Sequence, residues 1–165
     1  MGEKGAVGLA RALNDLGTIR YYVGDYAQAE QLFREVLDIR RASLEPTHPF
    51  IALSLNNLAG ALREQGDYQA AEPLQRESLA LRRQVLGDPH PDVANSLNNL
   101  AVTLQMLQQW DEAESCLREA LGIFRAAHGN EHPTVASALM NFGSLMQNRG
   151  DLAKADKALE EALAM

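Results

Sequence analysis

Five residues, Leu55-Asn56-Asn57-Leu58-Ala59, return 42 positions later as Leu97-Asn98-Asn99-Leu100-Ala101. Eroded copies flank them at the same step, Leu13-Asn14-Asp15-Leu16-Gly17 and Leu139-Met140-Asn141-Phe142-Gly143. No insertion or deletion interrupts the series. A fixed period of this size marks supersecondary units that cannot bury an apolar face alone and must stack to share a core. The 165 residues therefore read as an array and not as one irregular globule.

Within each step, apolar residues fall at helical spacing. Ala29, Leu32, Phe33, Val36, Leu37 and Ile39 form one such stripe. Gly24-Asp25, Gly66-Asp67 and Gly150-Asp151 punctuate the steps. The Gly suits a left-handed helix end and the Asp suits the cap of the next helix. The third step has Gln108-Gln109 instead, which predicts an altered turn with Asp111 as a weaker cap. Trp110 takes the aromatic slot held by Tyr26 and Tyr68. The joints end in His48-Pro49, His90-Pro91 and His132-Pro133, with Pro placed for the first turn of a helix. Pro73 lies inside a helix and predicts a mild kink. The expectation is an all-α chain of eight helices in four helix-turn-helix repeats, about 9–50, 51–92, 93–134 and 135–165, wound as an α-α superhelix. The first helix is expected from about Leu9, after a degenerate Gly-rich segment 1–8 that is read as a frayed start or as the scar of a cut from a longer protein.

Composition narrows the function. The chain is 46% hydrophobic but only 5% aromatic, so Ala and Leu dominate, as suits close-packed helices. A net charge of −7 argues against nucleic-acid binding, which needs a basic face. No apolar run approaches the ~18 residues of a membrane span. Cys116 is alone, which excludes an intramolecular disulfide and a Cys-based zinc site and suggests a reducing, cytoplasmic setting. No Gly-rich phosphate loop, metal-spaced cluster or nucleophile elbow is present, so no catalytic residue, metal or cofactor is expected.

Leu58, Ala59, Leu62, Ala71 and Leu79 sit at the packing spacing of a tetratricopeptide helix pair, whose usual period is 34. The 42-residue step, the His90-Pro91-Asp92-Val93-Ala94 joint before Leu97-Asn98-Asn99-Leu100-Ala101, and the run Gly66-Asp67-Tyr68 with Ala71-Glu72-Pro73-Leu74 resemble the tetratricopeptide domain of kinesin light chains. The resemblance covers residues 9–165. The coiled-coil segment that joins a light chain to its heavy chain is not among them, so the expectation is a light-chain-like array and not a motor subunit. Departures are Arg20, Gln75 and Ser78 at ordinarily apolar positions, and Met140 in place of the first Asn.

In that arrangement the first helix of each pair lines a groove. The resemblance implies peptide-binding roles for Asn14, Asn56, Asn57, Arg63, Asn98, Asn99, Gln105, Asn141 and Gln147. Asn is a mediocre helix former, so its return mid-helix needs a reason. Amides carry both donor and acceptor and could bracket an extended peptide backbone; equally, they could bond a neighbouring helix. Arg11 is the one basic residue among the groove positions weighed for a terminal-carboxylate clamp; Asp15 offsets it and Glu64 stands beside Arg63, which predicts a nearly neutral lining and weak salt dependence. His48, His90 and His132 are read as helix-start caps; Glu30–Arg34, Glu72–Arg76 and Glu114–Arg118 as ion pairs on a solvated face; Cys116 as a buried thiol; Trp110 as core. The function expected is non-catalytic interaction with a protein or peptide partner, with no nucleic acid and no membrane. The alternatives are a structural solenoid that self-associates through its open C-terminal helix, and the sensor arm of a larger signalling protein.

Overall fold

The computed structural model describes the backbone of residues 3–165 and side chains from residue 5 onward. The described residues form eight α-helices and no strand: α1 (Glu3–Tyr22), α2 (Tyr26–Ser43), α3 (Pro49–Glu64), α4 (Tyr68–Leu86), α5 (Pro91–Met106), α6 (Trp110–His128), α7 (Pro133–Arg149) and α8 (Leu152–Leu163). They divide into two compact units, residues 1–85 and 86–165. None of the described helices is long and apolar enough to cross a membrane.

The turn within each helix pair has one chemistry. Gly66 N–H donates to Arg63 O and Asp67 N–H to Leu62 O, the paired bonds that close a helix end when the intervening residue is left-handed. The same two bonds recur at Gly24 and Asp25, and at Gly150 and Asp151. Gln108 and Gln109 make them as well, so the turn survives without Gly. What is lost there is the cap. Asp25, Asp67 and Asp151 each accept from a backbone N–H three residues on, whereas Gln109 makes no such bond. Asp111 does not stand in as a cap; its carboxylate pairs with Arg149 at 2.7 Å.

The joints between pairs are capped by histidine. Nδ1 of His48, His90 and His132 accepts from the N–H of Phe50, Asp92 and Thr134, with Pro following each His at the helix start. The capping role read from the sequence is thus observed at all three.

In unit 1 a core of Ala29, Phe33 and Leu37 from α2 meets Ile51, Leu55, Leu58 and Leu62 from α3 and Ala71 from α4. Ser78 and Gln75 are buried in α4, and the Ser78 hydroxyl donates to Ala52 O at 2.8 Å. Pro73 is accommodated inside a continuous α4. In unit 2, Val93, Leu97, Leu100 and Leu104 of α5 are buried, as are Leu117 and Phe124 of α6 and Val135 and Leu145 of α7. Cys116 is buried in α6, as expected, and Trp110 is half-buried at its start.

Two expectations differ from the structure. The segment read as a frayed start is helical from Glu3, because Ala10, 2% exposed, anchors those turns despite Gly5 and Gly8. Residues 1–2 lie outside the described residues. The three Glu–Arg pairs form at 2.5–2.9 Å, but Glu114 is buried and also binds Arg149, so that pair is not simply a solvated face.

Candidate functional site

The sequence-derived site residues lie on the first helix of each pair, and the units bring them together separately. In unit 1, Asn57 on α3 donates through Nδ2 to Asn14 Oδ1 on α1 at 3.1 Å. Asn14 also has its backbone carbonyl bound by the Thr18 hydroxyl. One turn on, the Tyr21 hydroxyl donates to Glu64 at 3.3 Å, and Arg63 pairs with the same carboxylate at 3.0 Å. Burial pushes the Tyr21 phenol up, the Glu64 charge adds to that, and Arg63 opposes it. Tyr21 meets Tyr22 and Tyr26 edge-on, and Tyr22 is 82% exposed. Arg63 is therefore part of a closed Tyr–Glu–Arg contact.

In unit 2, Asn141 on α7 donates to Asn98 Oδ1 on α5 at 3.0 Å, the same bond as in unit 1. Gln105 donates to the Ser144 hydroxyl at 3.2 Å, while Gln147 is exposed. Met106 and Met140 stand exposed on these helices. Asn56 and Asn99 are half-buried and already engaged.

The Asn pairs thus have a structural reason. Each observed bond ties the first helix of one pair to the first helix of the next, within a half-buried seam. A primary amide has two N–H donors and a carbonyl, so one Asn–Asn bond leaves both donors of Asn14 and the carbonyl of Asn57 without a use in that bond. The seam holds the helices together and keeps hydrogen-bonding capacity along its length.

Sequence reading missed Arg40. It ends the apolar stripe of α2 and is buried, with Nη1 donating to Ser54 Oγ at 2.7 Å and to Phe50 O at 3.1 Å. Its guanidinium lies 5.1 Å from the Phe50 ring centroid. Burial holds it below the usual arginine range, with the Asp15 carboxylate opposing. Arg40 and Arg11 both line a cavity of about 340 Å³ with Val7, Ala10, Ser43, Leu44 and Phe50. This cavity of unit 1 therefore has a second cation beside Arg11, contributed by the second helix of the pair and not by the first-helix positions. The signal was a charged residue at a helical core spacing, where the third repeat has Phe124.

Unit 2 holds a cavity of about 220 Å³ at the equivalent place, lined by Asn95, Asn98, Phe124, Pro133, Thr134 and Ser137, none of them charged. A further hollow between α6, α7 and α8 is bordered by Arg118, Arg125, Lys154 and Lys157. Arg118, Arg125 and Lys154 there already pair with carboxylates. Among the described residues no group of His, Cys, Asp and Glu is arranged to hold a metal ion.

The tetratricopeptide repeat profile matches residues 8–84, 50–125 and 92–165, spans whose starts advance by the 42-residue step. Among solved structures, the chain is similar to nearly identical TPR-like repeats from Podosopora anserina described as those of a kinesin light chain, at 26% identity and a TM-score of 0.83. That match covers 93% of this chain and 73% of the other. It is similar to BtubC (BKLC) from P. vanneervenii at 28% identity and a TM-score of 0.82, over 96% of this chain and 63% of that one. The apo form of RapI shares the fold at 17% identity and a TM-score of 0.81, over 94% and 54%. No curated protein matches the chain by sequence.

Proposed function

The chain belongs to the tetratricopeptide repeat family, whose repeats are generally protein-interaction modules, and from that premise we propose that it is a non-catalytic adaptor that binds an extended peptide segment along its first helices. The observation that carries this reading is the amide seam. Asn14–Asn57 and Asn98–Asn141 bond each other and retain donors and acceptors that suit a peptide backbone. Backbone recognition of this kind reads few side chains, and the exposed Met106 and Met140 supply adaptable apolar contact beside it. Asn56, Asn99, Gln105, Gln147 and Arg63 extend the proposed contact surface. A cytoplasmic setting suits the lone Cys116.

The test is selection of a random linear-peptide library on the full chain. Enriched peptides should bind the parent chain and lose affinity at least tenfold when Asn14 and Asn98, whose amide donors the two seam bonds leave unused, are both replaced by Ala, with helicity retained. Selected peptides that bind the double variant unchanged overturn the seam as the contact.

A second reading, end-to-end self-association, is favoured by one specific observation. Leu9, Leu16 and Ile19 on α1 are 37%, 40% and 58% exposed, whereas their repeat equivalents Ile51, Leu58 and Ala61 on α3 are at most 2% exposed. No enrichment of any peptide over bare support, together with concentration-dependent assembly of the chain, is the outcome that favours this reading over the adaptor.

A further inference from the structure

We propose that the first repeat contains a binding site for a carboxylate carried on an apolar group, with Arg40 and Arg11 receiving the anion in the cavity between α1, the end of α2 and the start of α3. The cavity, about 340 Å³, is near the lower end of the usual range for ligand pockets, roughly 300–1,000 Å³. It has room for one small ligand or one terminal residue of a peptide.

The argument begins from the cost of Arg40. Its repeat equivalents are Arg82, half-buried and already engaged, 42 positions on, and Phe124, 2% exposed, 84 positions on, so the slot accepts an apolar ring as well as a guanidinium. The first repeat buries its guanidinium there to 7% exposure. Burying a charge is unfavourable unless it is paired. Nη1 is satisfied by Ser54 Oγ and Phe50 O, but both acceptors are neutral. Among the described side chains no carboxylate lies within ion-pairing distance of Arg40 or Arg11. Asp15 acts on Arg40 only from beyond ion-pairing distance, so two arginines that face one cavity without a contact carboxylate among the described side chains are what an anion would complete.

The chemistry of the anion follows from the walls. An arginine with one Nη committed still offers Nε and Nη2, the edge that takes a carboxylate through two parallel bonds. Val7, Ala10, Leu44 and Phe50 are apolar and suit the group that bears the carboxylate. The equivalent cavity in unit 2 replaces Arg11 by Asn95 and Arg40 by Phe124, and so lacks the anion-binding pair. The site lies inside one unit and stands independently of the amide seam.

The test titrates the full chain with 3-phenylpropionate, its neutral amide and inorganic phosphate, following backbone amide signals of Ser43, Leu44 and Phe50. The acid should shift them saturably, and the amide should bind at least tenfold more weakly. Arg40→Phe, which installs the residue of the third repeat, should weaken the acid at least tenfold and leave the amide unchanged. Arg11→Gln, on an exposed side chain, should weaken the acid several-fold and serves alone if Arg40→Phe does not fold. Equal binding of acid and amide, phosphate binding as tight as the acid, or acid affinity unaltered in either variant overturns the site. A short peptide ending in Phe, as free acid and as amide, separates the sources. Tighter binding of the free-acid peptide than of 3-phenylpropionate assigns the site to a peptide terminus, and the reverse order to a small acid. Binding of selected groove peptides that survives Arg40→Phe leaves the adaptor reading intact whichever way the site itself is decided.

Discussion

Gln108 holds φ at 61°, in the left-handed region where Gly24, Gly66 and Gly150 sit at 83–86°. A side chain there is strained, and Gly relieves it. Gln108→Gly should stabilise the chain by about 0.5–1 kcal/mol, and Gln109→Asp, by restoring the missing cap, by about 1 kcal/mol. Denaturant midpoints of the two variants check this, and no gain from either would show that the third turn is relaxed as it stands. Neither residue carries a turn signature, which is why the sequence suggested an altered turn where the structure keeps the same bonds. Titration supplies a second prediction at this scale. Lys154 holds the Asp151 carboxyl below its usual range, through its side chain first and its backbone N–H second; Arg34 and then Gln65 do the same for Glu30. Carboxyls lowered in the folded state add stability that is present above their unfolded-state values and lost as pH falls through the folded ones. Asp151→Asn and Glu30→Gln should therefore destabilise at neutral pH and lose that effect in acid below the ordinary carboxylate range. A difference from the parent that persists unchanged in acid would count against it.

Helix pairs in this chain are fitted by complementary sizes at one contact. A Cβ on Gly17 of α1 would stand 2.7 Å from the Phe33 ring of α2, and one on Gly143 of α7 would stand 2.8 Å from Leu159 of α8. The repeat equivalents of Gly17 in the middle repeats are Ala59 and Ala101, and those of Phe33 are Gln75 and Leu117. Helix propensity alone favours Ala over Gly by about 1 kcal/mol. At Gly17 the clash should win, so Gly17→Ala should destabilise by about 1–3 kcal/mol, the usual scale of overpacking. Adding Phe33→Leu should recover most of it, and a thermal melt of single and double variants reads the outcome. A stabilised Gly17→Ala would mean the Phe33 ring moves aside freely. This scale was the most legible. The apolar spacing of α2 to α7, the Gly-Asp turns and the His-Pro joints are local patterns, and each is realised where it was read. The start of α1 was not legible, because Gly5 and Gly8 suggest fraying while the burial that holds the helix comes from tertiary packing at Ala10. Arg40 escaped for a similar reason. Its environment is built by Phe50 and Ser54, ten and fourteen residues away, so the charge at a core spacing was visible in the sequence but its partners were not.

Considered as a whole molecule, the array presents at its first helix a face that its own later helices bury. Position by position, Leu9, Leu16 and Ile19 correspond to Ile51, Leu58 and Ala61, and to Val93, Leu100 and Thr103. The later sets are at most 2% exposed; the first is at least 37% exposed. The same side chains are thus core in one repeat and surface in another, and only context separates them. That difference has an energetic consequence. Leu58→Ala should cost about 2–5 kcal/mol, as truncation of a packed core residue does. Leu16→Lys and Ile19→Lys should each change stability by no more than about 0.5 kcal/mol, because the lysine stem can lie along the helix with its ammonium in water. The double lysine variant also separates the two functional readings. If α1 docks against another copy, the parent chain should grow in mass with concentration in sedimentation, and the variant should remain a monomer whose melt matches that of the dilute, monomeric parent. If the chain is an adaptor, parent and variant should both remain monomeric and bind selected peptides alike. A stability several kcal/mol below that of the monomeric parent would contradict the exposure of this face and with it the self-association reading.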